Sequence, residues 1–592
     1  MTKSSIRMTR MLGIVLVTGL GMMLSATSVR ATTFVTDSLS CPKHEVRAVW
    51  LTTLQGLDWP RRKVRAGGDP TAQQEELTAI LDELQAAHIN TVIFQTRIRG
   101  TMAYPSKYEP WDECFTGHLG QSPGYDPLAF AIEECHKRGM ELHAWVVSIP
   151  LGKVKRQRQL GSSSILSRHG ELCRSAGEDL FMMPGHPQTA DYIAAICREI
   201  AENYDVDGIQ LDYIRYPESI YHFSDEHLYD KNSGMSRNDW KRSNISRIVR
   251  RVSEEVRAVK PWVKLGSSPI GKYADLPRQS AGGWNCHDAV FQDPKEWLRE
   301  GWQDMVFPMM YFRGNNYYPF LCDWNEGKGD RFVIPGLGIY FLDPREGNWR
   351  LNDIRQEIHA TRHTGIGGVA FYRSDFLTRD CQGLLGSVKN EFFTRPALQQ
   401  PMRWAADRTP PTRPTALTLT DDRMSWNPSN DNTTGVRYNL YGWYAGDEDE
   451  AYDKSQTERG DHLLAAALET THCTLPALSK GCNTFAVRAT DRYGNESEPC
   501  MLYLGRAKKG EPDSINKSRT VQADERGYIH NDRMKKDVAL LLLTETSTVV
   551  RTARDLDKIS VKGLHPGWYQ VVVVTKKTRR TIGWTEVGCA EY

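Results

Sequence analysis

The 592-residue chain lacks the marks of several protein classes. Its twelve cysteines are spread singly, with no Cys-x-x-Cys pair and no spacing that would build a zinc site, so most read as ordinary core thiols. Cys473 and Cys482 could bridge neighbouring strands in an oxidising compartment or stay reduced. Neither sign of charge is in excess: 75 Lys+Arg against 73 Asp+Glu leaves no basic field for a polyanion. That argues against nucleic acid and against an anionic membrane surface, and favours neutral or zwitterionic substrates. No Gly-rich phosphate loop follows the first strand-like run, and no His-x-x-x-His or Asp-Asp-His cluster marks a metal hydrolase. We therefore expect no metal and no organic cofactor. After the first thirty or so residues no apolar run is long enough to cross a bilayer.

What is present is a globular composition, 40% hydrophobic and 25% charged, in a chain long enough for two to four domains. The N-terminus carries Lys3, Arg7 and Arg10, an apolar run over residues 11–24, and small residues ending Val29-Arg30-Ala31. This is the layout of a cleavable secretory signal over residues 1–31, with a mature chain starting near Thr32 and a secreted, periplasmic or cell-surface destination. Cys41 lies far beyond the apolar run with no lipobox before it, which argues against lipid attachment. Association with the cell envelope, without a transmembrane segment after cleavage, is the expected setting.

Between residues 41 and 397, apolar strand-like runs alternate with amphipathic helical stretches, the pattern of a parallel sheet covered by helices. Eight strands are expected at 46–51, 91–96, 141–147, 208–213, 264–268, 305–311, 332–337 and 367–372. Helices are expected between them at 71–87, 127–138, 187–204, 240–259 and 351–363. Eight units in about 350 residues favour a closed (β/α)8 TIM barrel over a doubly wound open sheet.

The run Val206-Asp207-Gly208-Ile209-Gln210-Leu211-Asp212-Tyr213-Ile214-Arg215-Tyr216-Pro217 is the most informative stretch. Alternation sets Ile209 and Leu211 on one face and Gln210 and Asp212 on the other, so Asp212 emerges inward at the carboxyl end of the fourth strand. In a barrel that edge carries the chemistry, whereas Asp207 opens the strand at the opposite, stability face. Asp58, Trp59, Gln95, Arg97, Tyr104, Trp111, His143, Trp145, Tyr213, Arg215, Tyr216, Tyr311 and Tyr372 also fall at or near strand ends. Rings offer flat faces to the C–H side of a pyranose, and carboxylate, guanidinium and imidazole groups bond its hydroxyls, so these residues are the expected saccharide-binding set. Arg97 and Arg215 could hold a carboxylate of an acidic sugar or a lactyl or peptide group, or simply pair with rim acids. Trp59 and Trp145 serve equally well as core fillers, and His143 as a satisfied core histidine.

Past residue 403 the texture changes. Arg408-Thr409-Pro410-Pro411-Thr412-Arg413-Pro414 is a stiff, extended joint. Residues 410–505 read as short alternating strands and turns. The Pro-Pro start, the tryptophan of Met424-Ser425-Trp426 and the ending "AVRATDRYGNES" resemble a fibronectin type III β-sandwich, a module that spaces or docks. A polar linker near 507–526 leads to a small C-terminal β domain over 525–592, with strands at 538–543 and 568–575. Its "GLHPGWYQVVVV" loosely resembles C-terminal sorting or accessory domains of secreted bacterial proteins.

The segments "VRAVWLTTLQGLDWP" from Val46, "NTVIFQTRIRGTMAYPSKYEPW" from Asn90, "GYDPLAFAIEECHKRGMELHAW" from Gly124, "DVDGIQLDYIRYP" from Asp205 and "GGVAFYRSDFL" from Gly367 resemble the glycoside hydrolase family ten-like group. These are secreted bacterial barrel proteins related to, but distinct from, true family ten xylanases. The resemblance spans nearly the whole barrel in the right order. It implies a (β/α)8 barrel cleaving glycosidic bonds in a bacterial cell-wall glycan or another polysaccharide.

Such cleavage uses one protonated carboxyl and usually a second carboxylate. Asp212 is the expected catalytic acid. Asp58, Glu109, Asp112, Glu218, Asp343 and Asp375 are candidates for the second. Family ten xylanases use two glutamates, after strands four and seven, and no such pair stands here. Relatives in the resembling group often carry a second acid where Tyr213 stands and a glutamine where Met309 stands. The alternative reading is therefore a non-catalytic carbohydrate-binding or cell-surface scaffold.

Overall fold

The computed structural model describes residues 41–505 except 66 and 434, and beyond them mainly the strands between 528 and 587. The expected signal segment and the 507–526 linker lie outside the described residues. Among the described residues no helix is long and apolar enough to cross a membrane. The chain divides into two compact units. The first runs through Tyr441 and adds 454–478 and 487–500; the second comprises 442–453, 479–486 and the chain from 501 onward.

In the first unit, strands β1 (Val46–Leu51), β2 (Thr91–Arg97), β3 (Glu141–Val147), β4 (Gly208–Asp212), β5 (Lys264–Ser267), β6 (Met305–Val306), β7 (Phe332–Val333), β8 (Gly336–Leu337) and β9 (Gly368–Phe371) form one parallel sheet. Helices α1 (Thr71–Ala86), α2 (Pro127–Lys137), α3 (Pro187–Asn203), α4 (Arg237–Arg257), α5 (Pro294–Arg299), α6 (Tyr318–Gly327) and α7 (Leu351–Thr364) alternate with them. β7 and β8 stand at opposite ends of the strand order, although only Ile334 and Pro335 separate them in the chain. The amide of Ile334 donates to Val306 O at 2.9 Å, and that of Ala370 donates to Pro335 O at 3.0 Å. One extended segment thus pairs on both sides, and the sheet curls round on itself as a TIM-barrel-like α/β fold.

Local chemistry sets the element ends. The Asp126 carboxylate accepts from the amides of Leu128 and Ala129, both at 3.0 Å, with Pro127 at the first helical position and His136 and Lys137 in the last turn of α2. Cap, proline and terminal cations each favour a helix running in that direction. α4 begins at Arg237, three residues before the expected start, because the Ser236 hydroxyl accepts from the Asp239 amide. The strand expected over 305–311 shrinks to two residues, since Pro308 has no amide to donate to the ladder, and Pro335 divides the strand expected over 332–337 in the same way. At the seam between β1 and β9, Gly368 has φ +141°, and a β-carbon there would stand 2.0 Å from Val46 O.

The strand faces sort as alternation requires. Val46, Ala48, Trp50, Ile93, Trp145, Val147, Met305, Phe307, Ile334 and Ala370 form the core inside the ring. Val49, Leu51, Val92, Phe94, Ile209 and Leu211 belong to the larger core under the helices. The N-terminal end of the ring is braced by buried ions. Asp207 Oδ1 accepts from Arg437 Nη1 and Arg492 Nη2, both at 2.9 Å, and Oδ2 bonds His136 Nε2 at 2.8 Å and the Leu142 amide at 2.9 Å. Burial pushes the Asp207 carboxyl up, but the Arg437 and Arg492 guanidinium groups outweigh it and hold the group well below the usual carboxylate range. Further along this unit, Thr415–Thr420, Arg423–Asn427 and His472–Thr474 make a three-stranded antiparallel sheet.

The second unit contains an antiparallel sheet in the order Val549–Arg554, Ala539–Leu543, Gly567–Val574, Arg579–Val587, with a separate pair of Tyr528–His530 and Lys558–Ser560.

Candidate active site

Asp212 is the last residue of β4 and is 5% exposed. The strand ends there because Tyr213 takes φ +48°, turning the chain outward one residue before the expected end of the strand. Asp212 Oδ2 accepts from the Trp145 indole N–H at 3.0 Å, and Oδ1 accepts from the Tyr213 amide at 2.7 Å. Burial raises the carboxyl above its ordinary value, and the Arg215 charge and the two N–H donors only partly offset the rise. The raised value suits a proton donor, while the two N–H bonds favour the ionised form and fix the orientation of the group.

Aromatic rings surround it. Tyr311 and Tyr372 stack at 5.5 Å, Tyr340 meets both edge-on at 5.7 and 5.8 Å, and Trp50 supports Tyr372 from inside the ring at 6.0 Å. Burial pushes the Tyr311 and Tyr372 hydroxyls up, and the Asp212 charge adds to it, so both stay neutral donors. Tyr213, Tyr311, Tyr340 and Tyr372 are all half-buried.

Beside Tyr213 opens a cleft walled by Arg215, Tyr216, Glu218 and Tyr221 from the loop after β4. Arg99 after β2, and Ile149, Pro150, Asp179 and Phe181 after β3, complete it. Pro150, Asp179 and Phe181 belong to a small antiparallel sheet, Pro150–Lys153, Asp179–Met182 and Cys173–Ala176, inserted between β3 and α3. Trp284, 37% exposed in the loop after β5, lies 6.0 Å from the Arg215 guanidinium. Sequence reasoning missed Arg99, Tyr221, Trp284 and Tyr340, because long loops carry no periodicity to tell which of their residues return to the mouth.

Of the residues expected at the site, Asp212, Trp145, Tyr213, Arg215, Tyr216, Tyr311 and Tyr372 come together here. The others serve elsewhere. Arg97 is fully buried in a bidentate pair with Glu109, at 2.8 and 2.6 Å, and its remaining nitrogen reaches the carbonyls of Val147 and Ser148. Gln95 Oε1 accepts from the Thr52 hydroxyl and the amides of Thr53 and Leu54, which shapes the loop after β1. Trp59 is core, its indole donating to Gln73 O at 2.8 Å, and Tyr104 is core, its hydroxyl on Glu199 at 2.8 Å. Trp111 packs edge-on to Phe115 at 6.4 Å. His143 lies inside the ring, where Nε2 meets Glu141 Oε2 at 3.1 Å.

Asp58 accepts from the Thr52 amide at 2.8 Å and the Asp375 amide at 3.1 Å and pairs with Arg373; burial, only partly countered by Arg373, pushes it up to about 6. The other candidate second acids are ion-paired as well: Asp112 with Arg156, Asp343 with Arg345 and Arg379, Asp375 with Arg61 and Arg379, and Glu218 with Arg215 at 2.7 Å. Of these acids only Glu218 lines the cleft beside Tyr213; Asp58 and Asp375 line a different one. Among the described residues no group of three or more His, Cys, Asp or Glu side chains could hold a metal ion.

Residues 45–320 match the model of the family described as glycosyl hydrolase-like 10. The glycosyl hydrolase YngK of Bacillus subtilis (strain 168) is 30% identical over 483 residues, which cover 77% of this chain and 92% of YngK. The chain belongs to the glycosyl hydrolase-like 10 family. Another relative, the glycosyl hydrolase DigH of Escherichia coli (strain K12), is 35% identical over 372 residues, 56% of this chain and 84% of DigH. Among solved structures, the PgaB (BpsB) glycoside hydrolase domain from Bordetella bronchiseptica superposes with a TM-score of 0.40 at 15% identity, covering 60% of this chain and 99% of that one. The family match begins one residue before β1 and takes in Asp212, Tyr213, Arg215 and Tyr311, most of the mouth described above.

Proposed function

We propose that the protein is a secreted glycoside hydrolase that cleaves glycosidic bonds in a polysaccharide by carboxylate acid–base catalysis, with Asp212 as the proton donor. The observation that carries this reading is the setting of Asp212: a buried carboxyl at the C-terminal end of a barrel strand, fixed by Trp145 and flanked by tyrosine faces. The names of the relatives and the family support a glycan as substrate, and the basic–apolar–small N-terminus supports export.

The tyrosine faces seat the pyranose, and burial keeps the Asp212 proton available for the leaving oxygen. Glu218 is the candidate we assign to assist, as base or nucleophile, because it lines the same cleft as Tyr213, the residue that follows Asp212. Its pairing with Arg215 at 2.7 Å fixes its position in the cleft wall. The test is turnover of a panel of bacterial cell-wall and other glycans by the full chain and by Asp212→Asn and Glu218→Gln. Loss of product by a factor of about 10³ or more in Asp212→Asn, with saccharide binding intact, supports the assignment. Retention of activity in Asp212→Asn refutes it.

One observation favours a second reading, a non-catalytic carbohydrate-binding barrel: every candidate for the second carboxylate is already ion-paired. Binding without turnover by the parent chain across the whole panel would decide for it.

A further inference from the structure

The global charge balance favours neutral substrates, but the cleft beside Asp212 is not neutral in its unmet hydrogen-bonding demand. Arg215 is 5% exposed and lines it. Its Nη2 donates to Glu218 at 2.7 Å, while Nε and Nη1 have no hydrogen-bond partner among the described residues. The guanidinium lies over the Tyr213 ring at 4.5 Å, a contact that holds it in place and satisfies none of the N–H groups. Buried donors without acceptors are costly, and charged ones more so.

The remaining charges in the wall do not meet this demand. Asp179 is engaged by Lys153 at 3.1 Å, and Glu218 is the acid already on Nη2. Arg99, exposed and also lining the cleft, makes no side-chain hydrogen bond or ion pair among the described residues, so it adds an uncompensated cation to the same cleft. Its charge and that of Arg215 both act on Asp212, which places the pair within electrostatic reach of the candidate acid.

We propose that this cleft is an anion-reading subsite, in which Arg215 and Arg99 hold a carboxylate carried by the sugar next to the bond to be cleaved. This rests on the hydrolase reading above for its position beside Asp212, and it narrows the substrate to glycans with acidic substituents. A carboxylate supplies the acceptors that Nε and Nη1 lack and balances Arg99, and the exposed Tyr221 and Trp284 rings flank it with apolar faces. Arginine rather than lysine suits the task, because its planar group stacks on Tyr213 and still presents donors at its edge. A uronic C6 carboxylate and an ether-linked lactyl group both provide this chemistry.

The experiment measures binding by isothermal titration calorimetry, using the full chain as Asp212→Asn so that nothing is consumed. The probes are oligosaccharides bearing uronates, oligosaccharides bearing N-acetylmuramate with a free lactyl carboxyl, and each of these after chemical reduction of the carboxyl to an alcohol. We expect one carboxylated series to bind about tenfold or more tightly than its reduced twin, in line with one charge-assisted hydrogen bond. The series that shows the gap identifies the source of the carboxylate. Adding Arg215→Gln and Arg99→Gln should shrink the gap to about twofold or less, while Arg215→Lys, which keeps the charge and guards against misfolding, should retain part of it.

Equal affinity for carboxylated and reduced probes overturns the subsite and leaves the hydrolase reading standing. So does a preference that survives in the folded Arg215→Gln/Arg99→Gln variant. Failure to bind any saccharide overturns both.

Discussion

Replacing Asp207 by asparagine tests the ionic brace beneath the ring and is the most direct prediction, since it needs no knowledge of the substrate. Asparagine keeps the shape and an acceptor for the Leu142 amide but removes the charge that balances Arg437 and Arg492. Stripping one partner from a buried ion pair costs about 3–5 kcal/mol, because the other partner is left uncompensated. Here Arg492 keeps Asp205 at 2.8 Å and Arg437 keeps Glu469 at 3.7 Å, both half-exposed acids, so the low end applies and the expected loss is about 3 kcal/mol.

The pH dependence has a definite sign. A carboxyl held below its unfolded value stabilises the fold above that unfolded value, near 4, and the contribution is lost as pH falls through the native one. The gap between parent and Asp207→Asn should therefore be full at neutral pH and narrow in acid. Urea unfolding of the full chain followed by tryptophan fluorescence measures it. A gap below about 1 kcal/mol at neutral pH, or one that widens below pH 4, would refute the reasoning.

Three further outcomes follow from the same geometry. Trp145→Phe keeps the ring but deletes the donor to Asp212, so the carboxylate loses stabilisation. The basic limb of the pH–rate profile should move up by about 1–2 units, and an unmoved limb in an active variant removes Asp212 from the acid role. Glu357, buried on α7 with one carboxyl oxygen lacking a partner among the described residues, is pushed well above its ordinary value by burial, with Asp353 adding to it. A raised native value favours folding below the unfolded value and is lost as pH rises through the native one. Glu357→Gln should accordingly gain on the parent by about 1.4 kcal/mol per pH unit across that interval, and equal melting of the two at pH 4 and pH 8 would contradict it. Gly368→Ala should cost more than about 4 kcal/mol, seen as lost soluble yield or a collapsed melting transition; a melt matching the parent would show that the seam can relax.

Much of this architecture is legible in the chain because buried parallel strands are nearly continuous apolar runs, and the alternation that turned Asp212 inward needs only five residues of β4. The same reasoning located Trp145, Tyr311 and Tyr372. It could not tell which strand-end polar groups stay free for a ligand. Arg97 stands at the end of β2 as Arg215 stands past β4, and only the fold brings Glu109 onto the first while leaving two nitrogens of the second unmet. Prolines hid two more features: the apolar runs around Pro308 and Pro335 look like long strands until the missing amides are counted. Loop residues such as Trp284 reach the mouth through tertiary folding alone, with no local signal.

The meeting of the first and last strands at Gly368 also bears on how the protein can change. With the Val46 carbonyl occupying the space of any side chain, that joint leaves no room for enlargement, whereas the loop after β3 already carries the extra sheet spanning 150–182. New specificities, natural or engineered, should therefore arise by lengthening and re-equipping such loops around an unaltered keystone.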